Sequence, residues 1–241
     1  MIMAKYITRW IFGTFLCLLL FSVFIGCSSD SDNDRPAAVE AEYMVTATNL
    51  TNNQPLSPLA IVIHNEGYEG WELGSSADDA LEVLAESGDP ADFLGEADGN
   101  TEVVDTDTGA GIVLPGGSDS VTITVTHSSG LLLTGATMLV NTNDAFTGVN
   151  AGRIGDLEVG ESKTFLSQPW DAGTEGNIET AATVPGPAGG GEGFNLARDD
   201  RDFVAAHQGV VTQDDGLVTS VLDESHRFLG PVARFVVTRT Q

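Results

Sequence analysis

An all-β fold, an antiparallel β-sandwich, is the class this sequence predicts, and three observations carry the prediction. Apolar residues alternate with threonines in YMVTATNL, where Tyr43, Val45 and Ala47 interleave with Thr46 and Thr48. They do so again in SVTITVTH, where Val121, Ile123 and Val125 interleave with Thr122, Thr124 and Thr126. That period of two is the pattern of half-buried strands. LAIVIH (Leu59 to His64) and TMLVN (Thr137 to Asn141) are continuous apolar runs suited to central strands, and VARFVVTRT near the C-terminus completes the set. Clusters of Gly, Pro, Asn and Asp separate the segments, as in a sandwich and unlike a βαβ sheet.

One helix is expected to interrupt the strands. Ser75 or Ser76 caps it, Ala77, Ala80, Leu81, Leu84 and Ala85 recur at helical spacing, Asp78 and Asp79 suit its positive end, and Gly88 with Pro90 stops it. The stretch VPGPAGGGEG (Val184 to Gly193) reads as a long surface loop. No internal repeat is present.

The N-terminus reads as a targeting segment. Lys5 and Arg9 precede an apolar run from Trp10 to Ile25, which stops at Gly26 and Cys27 before the polar Ser28-Ser29-Asp30. A basic start, an apolar core and a small residue at the boundary describe a secretory signal over 1–26. An uncleaved anchor is the competing reading, but the run is short of the roughly 20 residues that span a bilayer. Phe24-Ile25-Gly26-Cys27 resembles a bacterial lipobox with Phe in place of the usual leucine, which implies lipidation of Cys27. Ser28 after the cysteine implies outer-membrane sorting, so the expected place is the bacterial cell envelope, with the membrane contacted through the lipid anchor only. Residues 27–40, polar and acidic with Pro36, read as a flexible tether, and 41–241 as one domain.

Cys17 lies within the signal, so no cysteine pair remains for a disulfide and no cluster for structural zinc. Of ten basic residues, Lys5 and Arg9 leave with the signal, and the remaining eight face 35 acidic ones. Nucleic acid is a poor partner for such a chain. The charge serves solubility, and it also raises the local concentration of cations around any preorganised carboxylate site.

Four segments in order, TATNLTNNQPLSPLAIVIH, MLVNTNDAFTGVN, PWDAGTEGN and PVARFVVTR, resemble the spondin N-terminal domain of F-spondin and mindin over about Tyr43 to Arg239. The resemblance implies a C2-like antiparallel sandwich with Ca²⁺ bound at one end. Carried over motif by motif, it implies Asp144 of Asp144-Ala145-Phe146-Thr147-Gly148 as one calcium ligand, and Asp171 and Glu175 of Asp171-Ala172-Gly173-Thr174-Glu175 as two more. Glu175 is one methylene longer than the aspartate of the animal proteins. The chemistry agrees independently: calcium takes six to eight oxygens in a loose geometry, and a short glycine-bearing turn can bring two carboxylates to one centre. The same aspartates are also common Asx-turn and capping residues, so spacing alone leaves both roles open. Asp144 is expected at a strand end where a loop from the other sheet meets it.

Other motifs are weaker. DTDTGAG (Asp105 to Gly111) resembles the start of an EF-hand loop, but Gly116 stands where the twelfth-position Glu belongs, so a solvated turn is expected. His64, His127, His207 and His226 are scattered without metalloprotease spacing, and no nucleophile elbow is present. Tyr68, Trp71 and Trp170 supply either an aromatic binding surface, Trp170 beside the expected ion, or ordinary packing. These residues point to a non-enzymatic, calcium-binding adhesion module whose partner is a protein or a glycan. Two rivals stand beside it: a calcium-dependent hydrolase of an extracellular polymer, for which no general acid or base can be nominated, and a purely structural envelope lipoprotein.

Overall fold

The computed structural model describes residues 38–241. The signal segment, Cys27 and all of the tether up to residue 37 lie outside the described residues. The first strand, β1 (Glu40–Asn49), takes in the last residue assigned to the tether, with Glu40 opposite Thr126.

Among the described residues, ten strands form two antiparallel sheets. β2 spans Ala60–His64, β3 Val103–Thr108, β4 Ser118–Thr126, β5 Leu132–Met138, β6 Ala145–Arg153, β7 Ser162–Ser167, β8 Pro169–Asp171, β9 Ala205–Ala206 and β10 Ala233–Arg239. The four-stranded sheet runs β4-β1-β10-β7 and the six-stranded sheet β3-β2-β5-β6-β8-β9.

The four-stranded sheet explains its own sequence pattern. Val45 of β1 lies opposite Val121 of β4 and Val237 of β10, so all three side chains enter the space between the sheets. On the other face, Thr46 meets Ser120 and Thr48 meets Ser118 through hydroxyl hydrogen bonds of 2.9 Å, and Ser162 meets Thr238 at 2.8 Å. One face is apolar and one is a ladder of hydroxyls, as the period of two requires.

The six-stranded sheet is buried on both faces. From β2, Ile61 and Ile63 point into the inter-sheet core, while Ala60 and Val62 point to a second core on the opposite side. Two faces to fill is the reason LAIVIH shows no alternation. The second core is roofed by α1 (Asp79–Ser87) and α2 (Ala91–Asp98), with Leu81, Leu84, Phe93 and Ala97 packed against Trp71, Phe146 and Ala136.

Several expectations need correction. The helix cap is Asp78, whose carboxylate accepts from Leu81 N–H at 2.7 Å, because Ser75 and Ser76 instead donate to Glu72 and Asp202. Gly88 ends α1 in the left-handed region at φ +72°, and a second helix follows at once. The strand read at Thr137–Asn141 is centred further upstream: β5 ends at Met138, Leu139 bridges Leu56, and Val140 to Asp144 form the turn into β6. Asp105 to Thr108 belong to the exposed edge strand β3, not to a turn.

Two glycines test this packing in opposite senses. Gly148 sits where a Cβ would lie 3.0 Å from the Trp71 ring and collide with the Gly135 carbonyl oxygen. Gly148→Ala should destabilise by about 1–3 kcal/mol through forced separation of β5 and β6. Gly95 lies within α2 with open space around it, so Gly95→Ala should stabilise by about 0.5–1 kcal/mol. Urea denaturation of the two variants checks both signs.

Candidate metal centre

The centre is built on one sheet edge. The turn after β5 is closed by Thr142, whose hydroxyl donates to Leu139 C=O at 2.6 Å and accepts from Ala145 N–H at 3.1 Å. This fixes Asp144 as the residue entering β6. Antiparallel pairing then sets Ala145 opposite Asp171, the last residue of β8. Both aspartates therefore come from neighbouring strands of the six-stranded sheet, and no loop from the other sheet is needed to join them.

The turn after β8 wraps around Asp144. Gly173 adopts φ +75°, and a side chain there would strike the Phe203 backbone, so this position requires glycine. With the chain so bent, Thr174 N–H and Glu175 N–H both donate to Asp144 Oδ2, at 2.9 and 3.2 Å. Asp171 is held just as firmly: Oδ1 accepts from Gly173 N–H and Oδ2 from Asn177 Nδ2, each at 2.9 Å.

A histidine that the sequence left unassigned stands behind Asp171. Asp144, Asp171 and His207 each offer a ligand atom within 4.8 Å of the others, and Glu175 is not in that set. Gly209 N–H donates to His207 Nδ1 at 3.0 Å, so the ring proton sits on Nε2, 3.1 Å from Asn177 Oδ1. The relay runs from His207 through Asn177 to Asp171. Burial holds the imidazole below its ordinary pKa, hence neutral. With Nδ1 accepting and Nε2 donating, His207 positions Asp171 and has no free lone pair for a metal.

Glu175 faces a different neighbour. Its Oε2 is sealed from solvent without a partner, as are Asp144 Oδ1, Asn143 Oδ1 and Glu86 Oε1. Glu86 comes from the buried face of α1, where its Oε2 accepts from Asn195 N–H at 2.8 Å. Four helix residues earlier, Glu82 is equally buried, and its Oε2 is answered by Arg198 at 2.6 Å while its Oε1 also lacks a partner; Glu86 has no ion pair among the described residues. Sequence reasoning missed Glu86 and Asn143. The available signal was a pair of glutamates spaced four apart beside an apolar helical stripe, which places both carboxylates toward the core.

The electrostatics are those of an uncompensated acidic cluster. Burial, then the Asp171 charge, raises Asp144 to about 7, while the two backbone N–H donors oppose the shift. Glu175 is pushed up to about 8 by burial first, then by Glu86 and Asp144, with Asn143 partly offsetting them. Glu86 is raised as well, chiefly by burial.

The model of the spondin N-terminal family (Spondin_N) matches residues 48–185, more than half of the 241-residue chain. This chain belongs to the spondin N-terminal family. The matched span contains Asp144, Asp171 and Glu175, and also Glu86 and Asn143, so the whole acidic cluster lies within the spondin domain. No curated protein matches the chain. Membership suggests an extracellular or secreted binding module. Among the described residues, no helix is long and apolar enough to cross a membrane.

The raised carboxyls set the pH response of the ion-free spondin domain. An acid whose folded pKa exceeds its unfolded one contributes stability below the ordinary carboxylate range, and that stability is lost as pH rises through the folded value. In EDTA the Tm of the chain should therefore fall by several degrees between about pH 5 and pH 8.5, as Asp144 and Glu175 ionise near 7 and 8. Differential scanning calorimetry across that range, with Asp144→Asn plus Glu175→Gln as the flattened control, measures it.

Proposed function

We propose that this centre binds Ca²⁺ and that the protein is a calcium-stabilised, non-enzymatic binding or adhesion module carried on a lipid anchor at Cys27 in the bacterial envelope. The observation that carries the calcium reading is the set of four sealed oxygens without partners on Asn143, Asp144, Glu175 and Glu86. A buried polar atom left unmatched costs about 1–3 kcal/mol, and more for a charged group. Four such atoms on electrostatically coupled neighbours favour a cation among them.

The donor chemistry selects the ion. Every available donor is an oxygen, which suits a hard cation, and the one imidazole in reach has both nitrogens engaged, which disfavours zinc. Oxygens from a helix, a turn and a loop give an irregular cage that calcium accepts more readily than magnesium. Asp144, Asp171 and Glu175 would hold the ion as the motifs imply, with Glu86 and Asn143 adding donors from α1 and from the β5–β6 turn. The bound ion supplies positive charge that ties these segments together. Asp171, with both oxygens already hydrogen-bonded, keeps lone pairs for a metal on each of them.

The binding reading is preferred to a hydrolytic one on the state of His207. An imidazole whose one basic lone pair, on Nδ1, already accepts from Gly209 N–H is poorly placed to act as a general base beside the ion. The partner is a protein or a glycan rather than a nucleic acid, in keeping with the excess of acidic residues.

Thermal unfolding of the full chain in EDTA, millimolar Ca²⁺ and millimolar Mg²⁺ tests the ion. At a hundredfold excess over its dissociation constant, calcium should stabilise by about 2.7 kcal/mol, with a smaller effect of magnesium and none in Asp144→Asn plus Glu175→Gln. Glu86→Gln should raise the Tm in EDTA and reduce the calcium increment, two opposite signs that no general loss of packing produces. Indifference of the wild type to calcium would sink the assignment. For the anchor, Cys27→Ser should abolish incorporation of an alkyne-tagged fatty acid in a bacterial host; unchanged labelling would exclude that cysteine.

A further inference from the structure

A second site lies on the helix-covered side of the six-stranded sheet. A cleft of about 370 Å³ is lined by Trp71, Trp170, Leu73, Glu69, Glu72 and Asn150. Its walls are fixed by packing. Trp71 stands edge-on to Phe146, with centroids 5.1 Å apart and ring planes at 83°, and Phe146 lies directly opposite Trp170 across β6 and β8. Asn150 clamps the loop that carries Trp71, accepting from Gly70 N–H at 2.9 Å and donating to Trp71 C=O at 2.6 Å. Gly148 leaves room beside the Trp71 ring where any side chain would intrude. The cleft is preformed, with two indoles, one of them half-buried, on its walls.

Its charge has one sign. Glu69 and Glu72 are exposed at the rim, and neither forms an ion pair among the described residues; the Glu72 carboxylate accepts from the Ser75 hydroxyl at 2.7 Å. Two adjoining hollows share Glu69 and Gly70 and add Asp78 and Glu96, and among the described residues no Lys, Arg or His lines any of the three. Indole faces attract cations through their quadrupole, and nearby carboxylates strengthen that attraction. An anion would be repelled, and a neutral sugar would gain hydrogen bonds but no charge attraction from the rim carboxylates.

We propose that the cleft between Trp71 and Trp170 binds a cationic side chain, a lysine or arginine presented by a partner protein. The ammonium or guanidinium group sits against the indoles with Glu69 and Glu72 beside it, and the acidic hollows around Asp78 and Glu96 steer basic surfaces toward it. This site does not depend on the calcium reading. Trp170 and Asp171 are consecutive in a strand, so their side chains leave on opposite faces of the sheet.

The test uses ¹⁵N-labelled full-length protein and follows its indole N–H resonances during titration with tetramethylammonium chloride, then with the peptide acetyl-Gly-Arg-Gly-amide. Sodium chloride at matched ionic strength and N-acetylglucosamine serve as controls. The Trp71 and Trp170 signals should move saturably with both cationic probes and with neither control. Trp170→Leu should abolish the response, and Glu69→Gln plus Glu72→Gln should weaken it by roughly tenfold. Both glutamates are exposed, so that double variant keeps its fold and its melting curve. Shifts no greater than those in sodium chloride, an unchanged response in the glutamate variant, or saturable movement with the sugar alone would overturn the proposal. Each readout holds equally in EDTA, which separates its failure from that of the calcium site.

Discussion

Placing Glu86, Asp144, Asp171 and Glu175 together out of water is the constraint around which this end of the domain is organised. Like charges at close range in a poorly solvated space repel strongly, and the chain answers with backbone donors wherever it can. Thr174 and Glu175 turn their N–H groups onto Asp144, Gly173 turns its own onto Asp171, and Asn177 is itself braced by His207. These contacts fix the path of the chain from Asp171 to Asn177, yet they leave one oxygen on each of Glu86, Asp144 and Glu175 unanswered. A domain without disulfides has few other means of tying a helix to two distant turns, and a cation shared among them would do so without any covalent bond.

The architecture follows from giving one sheet two faces to bury. The four-stranded sheet covers one side of the six-stranded sheet, and α1 and α2 cover the other. Because α1 lies over the strands that end at the acidic cluster, Glu86 arrives there as a by-product of packing Leu81 and Leu84. Arg198 pins the N-terminal end of the same helix, joining Glu82, Asp202 and Ala77 C=O. Glu82 and Glu86 thus share a buried setting but differ in fate, one neutralised by a guanidinium and one left to face other carboxylates.

How much of this was legible depends on how local the signal was. β1 and β4 have one dry face each, so alternation revealed them, and β2 showed itself by lacking alternation. β5 was misplaced because its centre, Thr134-Gly135-Ala136, is built of small residues that resemble a turn, although packing buries all of them. α2 escaped notice because only Phe93 and Ala97 anchor it and Gly95 interrupts its helical pattern. In the acidic cluster, Asp144, Asp171 and Glu175 were visible through contiguous motifs. Glu86, Asn143 and His207 were not, since they reach the cluster from separate stretches of chain that only the completed fold brings together.

The three-residue strand β8 sets a limit on how this protein can vary over evolutionary time. Its residues alternate between two incompatible environments, with the Trp170 indole on the helix side and the Asp171 carboxylate among the acidic oxygens. Inserting or deleting one residue between Ser167 and Asp171 would exchange the two, forcing a carboxylate into the apolar layer and an indole among anions. Such a change cannot be absorbed locally, because Pro169 is paired with Thr147 and accepts from His207 N–H at its carbonyl. A length change is accommodated only in the turns beyond each end of this segment, so the placement of the indole and that of the carboxylate are set by a single register.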